Sequence, residues 1–228
     1  EKEEERDQKR SVGRSSSSTS STSSLTRTVD QETPLMTWVC NPKASPLPKA
    51  NDEAVDVSQH SYPSVIHRGG TAQQLRQKLL ENPPRRFLFI GHADARAPGG
   101  PRTLGFTSED GSAITIAPND ELARMFGASA KANGGQLELV FLNGCCSEPL
   151  GRLLHQRGVP VVVCWRTRAE DSAARVFSIE FFRALKVTND FRRAFAEAEG
   201  AVRAETKPGT LTGGIPSRVP KYELRDPD

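Results

Sequence analysis

Short apolar runs alternate along the chain with segments of helical spacing. Leu35–Cys40, Phe87–Ile90, Leu137–Leu142 and Val159–Cys164 are mostly apolar without a two-residue alternation. That pattern predicts strands buried on both faces. Val65–His67 predicts a further short strand, and Ala113–Ile116 alternates as an edge strand does. Between them, Thr71-Ala72-Gln73-Gln74 has the form of a capping box, and Leu75, Leu79 and Leu80 follow at helical spacing until Pro83-Pro84. Asn119 is placed to cap a helix carrying Leu122, Met125 and Phe126. Ser147 is placed to cap another through Leu150, Leu153 and Leu154, with Pro149 in its first turn and Gly158 at its end. Two long stripes, Ala174-Phe177-Phe181-Leu185 and Phe191-Ala194-Phe195-Ala198-Val202, predict helices over 171–185 and 190–205. Strands alternating with helices predict an α/β fold of three layers, a mostly parallel central sheet flanked by helices.

The intervening segments are less regular. Residues 43–61 read as a long loop with a short helix around Glu53–Val57, residues 95–112 as a mobile loop, and Tyr222-Glu223-Leu224 as a last strand. Residues 1–10 are almost all charged and 15–24 are only Ser and Thr, so residues 1–34 are expected to form a disordered arm before a folded domain over 35–228.

Composition narrows the function classes. Lys+Arg 31 against Asp+Glu 28 gives +3, too balanced to predict nucleic acid or a membrane surface as partner. Apolar runs stay well below the ~18 residues of a transmembrane helix. The four cysteines, at 40, 145, 146 and 164, have no CxxC spacing, which favours reduced thiols over a disulfide framework or a metal site and points to a cytoplasmic or nuclear setting. Neither GxGxxG nor GxxxxGK[ST] is present, and no cofactor is expected. The chain begins at Glu1 without an initiator Met, so upstream regulatory domains are expected.

In parallel sheets functional residues gather outside the carboxyl ends of the strands. Those ends carry His92, then Cys145 and Cys146, then Trp165 to Arg168. A cysteine between a strand end and a helix start feels N–H dipoles that favour thiolate, and a histidine at a neighbouring end can take or return its proton. Phe-Ile-Gly-His (89–92), Leu-Asn-Gly-Cys (142–145) and Gly-Val-Pro-Val-Val-Val-Cys-Trp (158–165), with Asp171-Ser172-Ala173-Ala174, resemble a CHAT domain, a caspase-like cysteine peptidase domain related to separase. The resemblance covers about 35–205 and is best over 86–185; the His-to-Cys separation of roughly 50 residues is that of caspases.

The resemblance implies a caspase-like fold, His92 as catalytic base and Cys145 as nucleophile, with a protein or peptide as substrate. It assigns the oxyanion donors to the backbone N–H groups of Ala93 and Cys145, with Ala93 standing where the family usually has Gly. Asp171 falls on an acidic residue that helps relatives hold a basic side chain, and Trp165 beside it lines the same pocket. Asp171 could equally cap its own helix. Cys146 and Cys164 are assigned to packing, and His60, His67 and His155 to the surface. The leading expectation is a cysteine-type endopeptidase cleaving after basic residues. The alternatives are a catalytically silent caspase-like interaction module and a flavodoxin-like ligand-binding domain.

Overall fold

The computed structural model describes residues 35–205 and, by backbone alone, 216–219. The apolar runs become strands without a single exposed position in three cases: β1 (Leu35–Cys40), β3 (Arg86–Gly91) and β6 (Leu139–Asn143). They lie at the centre of the main sheet, where both faces are covered and no polar alternation is needed. β2 (Ser64–Arg68) pairs with β1 on one side, and β7 (Val161–Trp165) with β6 on the other. The sheet order is β2-β1-β3-β6-β7-β8, parallel except for the edge strand β8 (Pro216–Val219), which runs antiparallel to β7.

Side chains alternate across the sheet and build two cores. Phe87 and Phe89 of β3 join Val140 and Leu142 of β6 beneath α2 (Ala72–Glu81), α3 (Asn119–Ser129) and α4 (Glu148–Gln156). Leu88 and Ile90 join Phe141 and Trp165 beneath α1 (Ala50–Asp56), α5 (Asp171–Thr188) and α6 (Phe191–Glu205). Phe141 meets Phe177, Phe181 and Phe182 with ring centroids 5.5–6.0 Å apart. The result is the expected three-layer α/β arrangement. Among the described residues no helix is long and apolar enough to cross a membrane.

The chain leaves β1 to one side for β2 and then crosses back to β3, so consecutive connections diverge between β1 and β3. That divergence opens a crevice at the carboxyl ends of the strands. The candidate site lies at the same end of the sheet, over the carboxyl ends of β3, β6 and β7. At the amino end of β3, buried Arg86 bonds Glu138 at 2.9 Å and Asn189 at 2.9 Å and also donates to Tyr62.

Several local expectations are corrected. The 43–61 loop contains α1 and a π-helical turn (Val57–Ser61), more helix than its composition predicts. The 95–112 segment contains β4 (Gly105–Thr107), which pairs with β5 (Ile114–Ile116) as a separate hairpin rather than at the edge of the main sheet. Asn119 is no cap: Pro118 holds that position and the Asn119 amide donates to the Arg102 carbonyl. Ser147 stands at the cap position of α4 but donates to the Leu142 carbonyl and accepts from the Trp165 N–H, joining two strand ends instead. Tyr222–Leu224 and residues 1–34 lie outside the described residues.

Candidate active site

His92 leaves the sheet directly after Gly91, where a Cβ would stand 3.0 Å from the Cys40 carbonyl oxygen. Its ring is half-buried, and Nε2 lies 2.9 Å from the Ser45 carbonyl oxygen. A carbonyl only accepts, so Nε2 carries the hydrogen, and in the neutral ring Nδ1 is the nitrogen with the lone pair. The carbonyl is itself held in place. Asn41 clasps Leu47 in both directions, at 3.0 and 2.7 Å, and the N–H groups of Lys43 and Ala44 donate to the carbonyls of Gly111 and Ser112 in the β4–β5 turn.

Cys145 follows the neighbouring strand. Gly144 precedes it because a side chain there would come within 2.5 Å of the Gly91 carbonyl oxygen and 2.6 Å of the Ala93 methyl. The Cys145 sulfur is half-buried, 3.4 Å from the Ala169 N–H nitrogen and 3.7 Å from its carbonyl oxygen. Burial pushes the thiol up; the Ala169 N–H pulls down and the Asp94 carboxylate adds to the rise. The shift runs against a dipole-favoured thiolate, because the lost water outweighs the Ala169 N–H. Among the described residues no hydrogen bond joins the His92 ring to the Cys145 sulfur; both line one cavity.

Cys146 is not among the residues that line the cavity shared by His92 and Cys145. It adopts the left-handed backbone conformation (φ 57°), gives its N–H to the Thr167 carbonyl at 3.0 Å and is buried. Ala93 is buried and is not among the left-handed residues, which besides glycines are Cys146 and Asn189 among those described. Alanine thus fits the position without backbone strain. Neither the Ala93 nor the Cys145 N–H is bonded to a carbonyl among the described residues.

The cavity beside these groups is a small cleft that opens to solvent; its space is ≈ 490 Å³ only when the open solvent at its mouth is counted. Trp165 forms its wall, 1% exposed, with the indole N–H donating to Asn143 Oδ1 at 2.6 Å. Asp171 lines the rim, exposed; α5 has no side-chain cap, so the capping alternative is not realised. Arg166 and Arg168 turn away, to Glu148 at 3.2 Å and Asp94 at 3.4 Å. At the cavity's other end lies Glu53, which the sequence reading passed over. Its Oε1 accepts from Asn143 Nδ2 at 2.6 Å and from the Ser178 hydroxyl at 2.7 Å. Burial raises this carboxyl to about 7. The signal was present: Ala50, Glu53, Ala54 and Val57 fall at i, i+3, i+4 and i+7, which sets one acid on an apolar stripe.

The other histidines stay apart from the site. His60 is exposed, His67 stacks on Trp38 at 5.3 Å, and His155 bonds the Val159 carbonyl. Cys164 and Cys40 are buried, the latter with its thiol pushed up to about 12 by burial.

A parallel sheet of this order, with histidine and cysteine after adjacent strands, defines the caspase-like α/β class. The description of the CHAT domain family matches residues 4–221, and the chain belongs to that family. No curated protein matches the chain.

Proposed function

We propose that the protein is a cysteine-type endopeptidase with His92 as base, Cys145 as nucleophile, and a preference for basic residues before the bond cleaved. The observation that carries this reading is the Ser45 carbonyl. By taking the Nε2 hydrogen it leaves Nδ1 as the basic nitrogen, the orienting role that a carboxylate plays in serine triads.

In the reaction the S–H bond of Cys145 breaks, its proton passes to His92 Nδ1, and sulfur bonds to the substrate carbonyl carbon. The carbonyl electrons move onto oxygen, where the free N–H groups of Ala93 and Cys145 stabilise the charge. Collapse breaks the C–N bond, and the imidazolium returns the proton to the leaving amine. Water then hydrolyses the thioester. A thiol protonated at rest fits transfer that is concerted with substrate binding rather than a standing ion pair. The exposed Asp171 carboxylate and the engagement of Arg166 and Arg168 by other acids support the basic preference. Free thiols support a reducing compartment, cytoplasmic or nuclear.

The test is a fluorogenic peptide library. Cleavage after Arg or Lys is expected, with Cys145→Ala inactive and His92→Ala lowered by about 10²–10⁴-fold in kcat. The raised thiol and the missing His92–Cys145 bond favour a second reading, a silent interaction module. Absence of turnover, with no labelling of Cys145 by a peptidyl chloromethyl ketone, would establish that reading instead.

A further inference from the structure

We propose that Glu53 is a positioning residue for the His92–Cys145 pair: its bond to Asn143 holds the loop that orients the His92 ring in register with the strand end that carries Cys145. The inference rests on the cysteine-peptidase reading of the site and names what keeps its two reacting groups matched. The sheet fixes the main chain of both, since Ile90 of β3 pairs with Asn143 of β6. The His92 ring is different, because its partner, the Ser45 carbonyl, lies on a loop outside the sheet. That loop runs straight into α1. The Ala50 N–H donates to the Leu47 carbonyl at 3.2 Å and the Glu53 N–H to the Lys49 carbonyl at 2.9 Å, so loop and helix start form one hydrogen-bonded piece. Glu53 is the point where this piece meets β6. Its Oε1 accepts from Nδ2 of Asn143 at 2.6 Å, and Asn143 stands two residues before Cys145.

Asn143 is held in one orientation. Its Oδ1 accepts from the Trp165 indole N–H at 2.6 Å, and an indole nitrogen only donates. Nδ2 must therefore face Glu53 and the Ala174 carbonyl, the latter at 3.1 Å. The other ties of α1 act differently. Ala50, Ala54 and Val57 pack on the core by apolar contact, which carries no direction. Asp56 pairs with Arg175 on α5 rather than with the sheet. An apolar side chain at position 53 would fill the buried site without the cost of a carboxyl that burial raises to about 7. Stability alone does not account for an acid there, whereas a directional bond to Asn143 does.

The test reads the His92 ring directly by NMR of the full chain carrying isotope-labelled histidine. A ring N–H bonded to a carbonyl is sheltered from exchange and gives a low-field proton signal; released to water, it exchanges too fast to be seen. The signal that disappears in His92→Ala is the one followed. Wild type is expected to show it, Glu53→Gln to keep it because glutamine still offers Oε1, and Glu53→Leu to lose it. Asp56→Asn, which loosens α1 but leaves the Glu53–Asn143 bond in place, is expected to keep it. Glu53→Leu leaves neither donor side chain without an acceptor, since Asn143 retains the Ala174 carbonyl and Ser178 the Arg175 carbonyl at 3.0 Å. If that variant does not fold, Glu53→Ala, whose vacated place opens to the cavity, is held to the same outcomes. In peptide cleavage Glu53→Leu should lower kcat by about 100-fold with KM within about twofold, while Glu53→Gln keeps kcat within about threefold of wild type. A wild type without the ring signal, a Glu53→Leu variant that keeps it, or an Asp56→Asn variant that loses it equally overturns the inference. Cleavage with kcat unchanged in Glu53→Leu overturns the tie and leaves the peptidase reading standing. A Glu53-dependent ring signal in a chain that cleaves no peptide does the reverse.

Discussion

The Cys145 thiol and the Glu53 carboxyl are displaced in the same direction by the same cause, since each loses water that would stabilise its charged form. For Cys145 the consequence is kinetic. Its alkylation by iodoacetamide is expected to keep rising beyond pH 9, while buried Cys40 stays unlabelled; a plateau below pH 7 would contradict the protonated resting state. For Glu53 the consequence is thermodynamic. Its folded value of about 7 exceeds its ordinary 4.5, so the folded chain holds the extra proton between those values. Stability from this group is fully present below about 4.5 and is lost as pH rises through about 7. Glu53→Gln should therefore raise stability at pH 8 by on the order of 3 kcal/mol, seen as a higher Tm, and leave it unchanged near pH 4. Thermal melts across that range check the sign. His92 and Cys145 were legible because each ends an apolar run. Glu53 was overlooked because its helix is short and lies in a stretch that reads as loop, and Ser45 was not visible at all, since every residue type supplies a carbonyl.

Sequence signals at the level of elements succeeded where one side chain has one use. The Thr71–Gln74 capping box forms with both reciprocal bonds, at 2.9 and 3.3 Å, and Thr71→Ala should cost about 1 kcal/mol by urea unfolding. They failed where a side chain serves two masters. Ser147 has the chemistry of a cap, yet its hydroxyl links β6 to β7, donating to the Leu142 carbonyl and accepting from the buried Trp165 N–H. At the amino end of β3, Glu138 neutralises Arg86 and also meets Arg85 at 3.0 Å. Removing it leaves the buried guanidinium short of a countercharge. Glu138→Ala should destabilise the fold by about 3–5 kcal/mol while kcat of the folded fraction is unchanged, since the pair lies at the sheet end away from the cavity. A fall in kcat at full folding would show coupling between the two ends.

For the whole molecule, the alternation of strand and helix was enough to predict layers, but not the order in which strands lie. That order depends on which connection crosses the sheet, and a one-dimensional pattern does not contain it. β5 is legible as a short alternating strand, but its partner β4 is not, because Gly-Phe-Thr inside a Gly- and Pro-rich segment carries too little periodicity to be read. β8 closes the sheet as an antiparallel edge on β7 and shields its ladder. Truncation after Glu205 should lower Tm and promote self-association seen by light scattering, because it bares the backbone of β7. A monomeric, equally stable truncation would show that β8 is dispensable.

The orienting atom opposite His92 belongs to the main chain, so alanine scanning of residue 45 would report nothing. Side-chain identity at that position is free to drift, provided the loop keeps its path. Selection would act instead on Asn41, whose amide clasps Leu47 in both directions, and on the turn at Gly111 and Ser112 that receives the loop's N–H groups. A lineage could thus lose its base-orienting contact through a change at Asn41, far along the loop from any reacting atom, with every reactive side chain still in place.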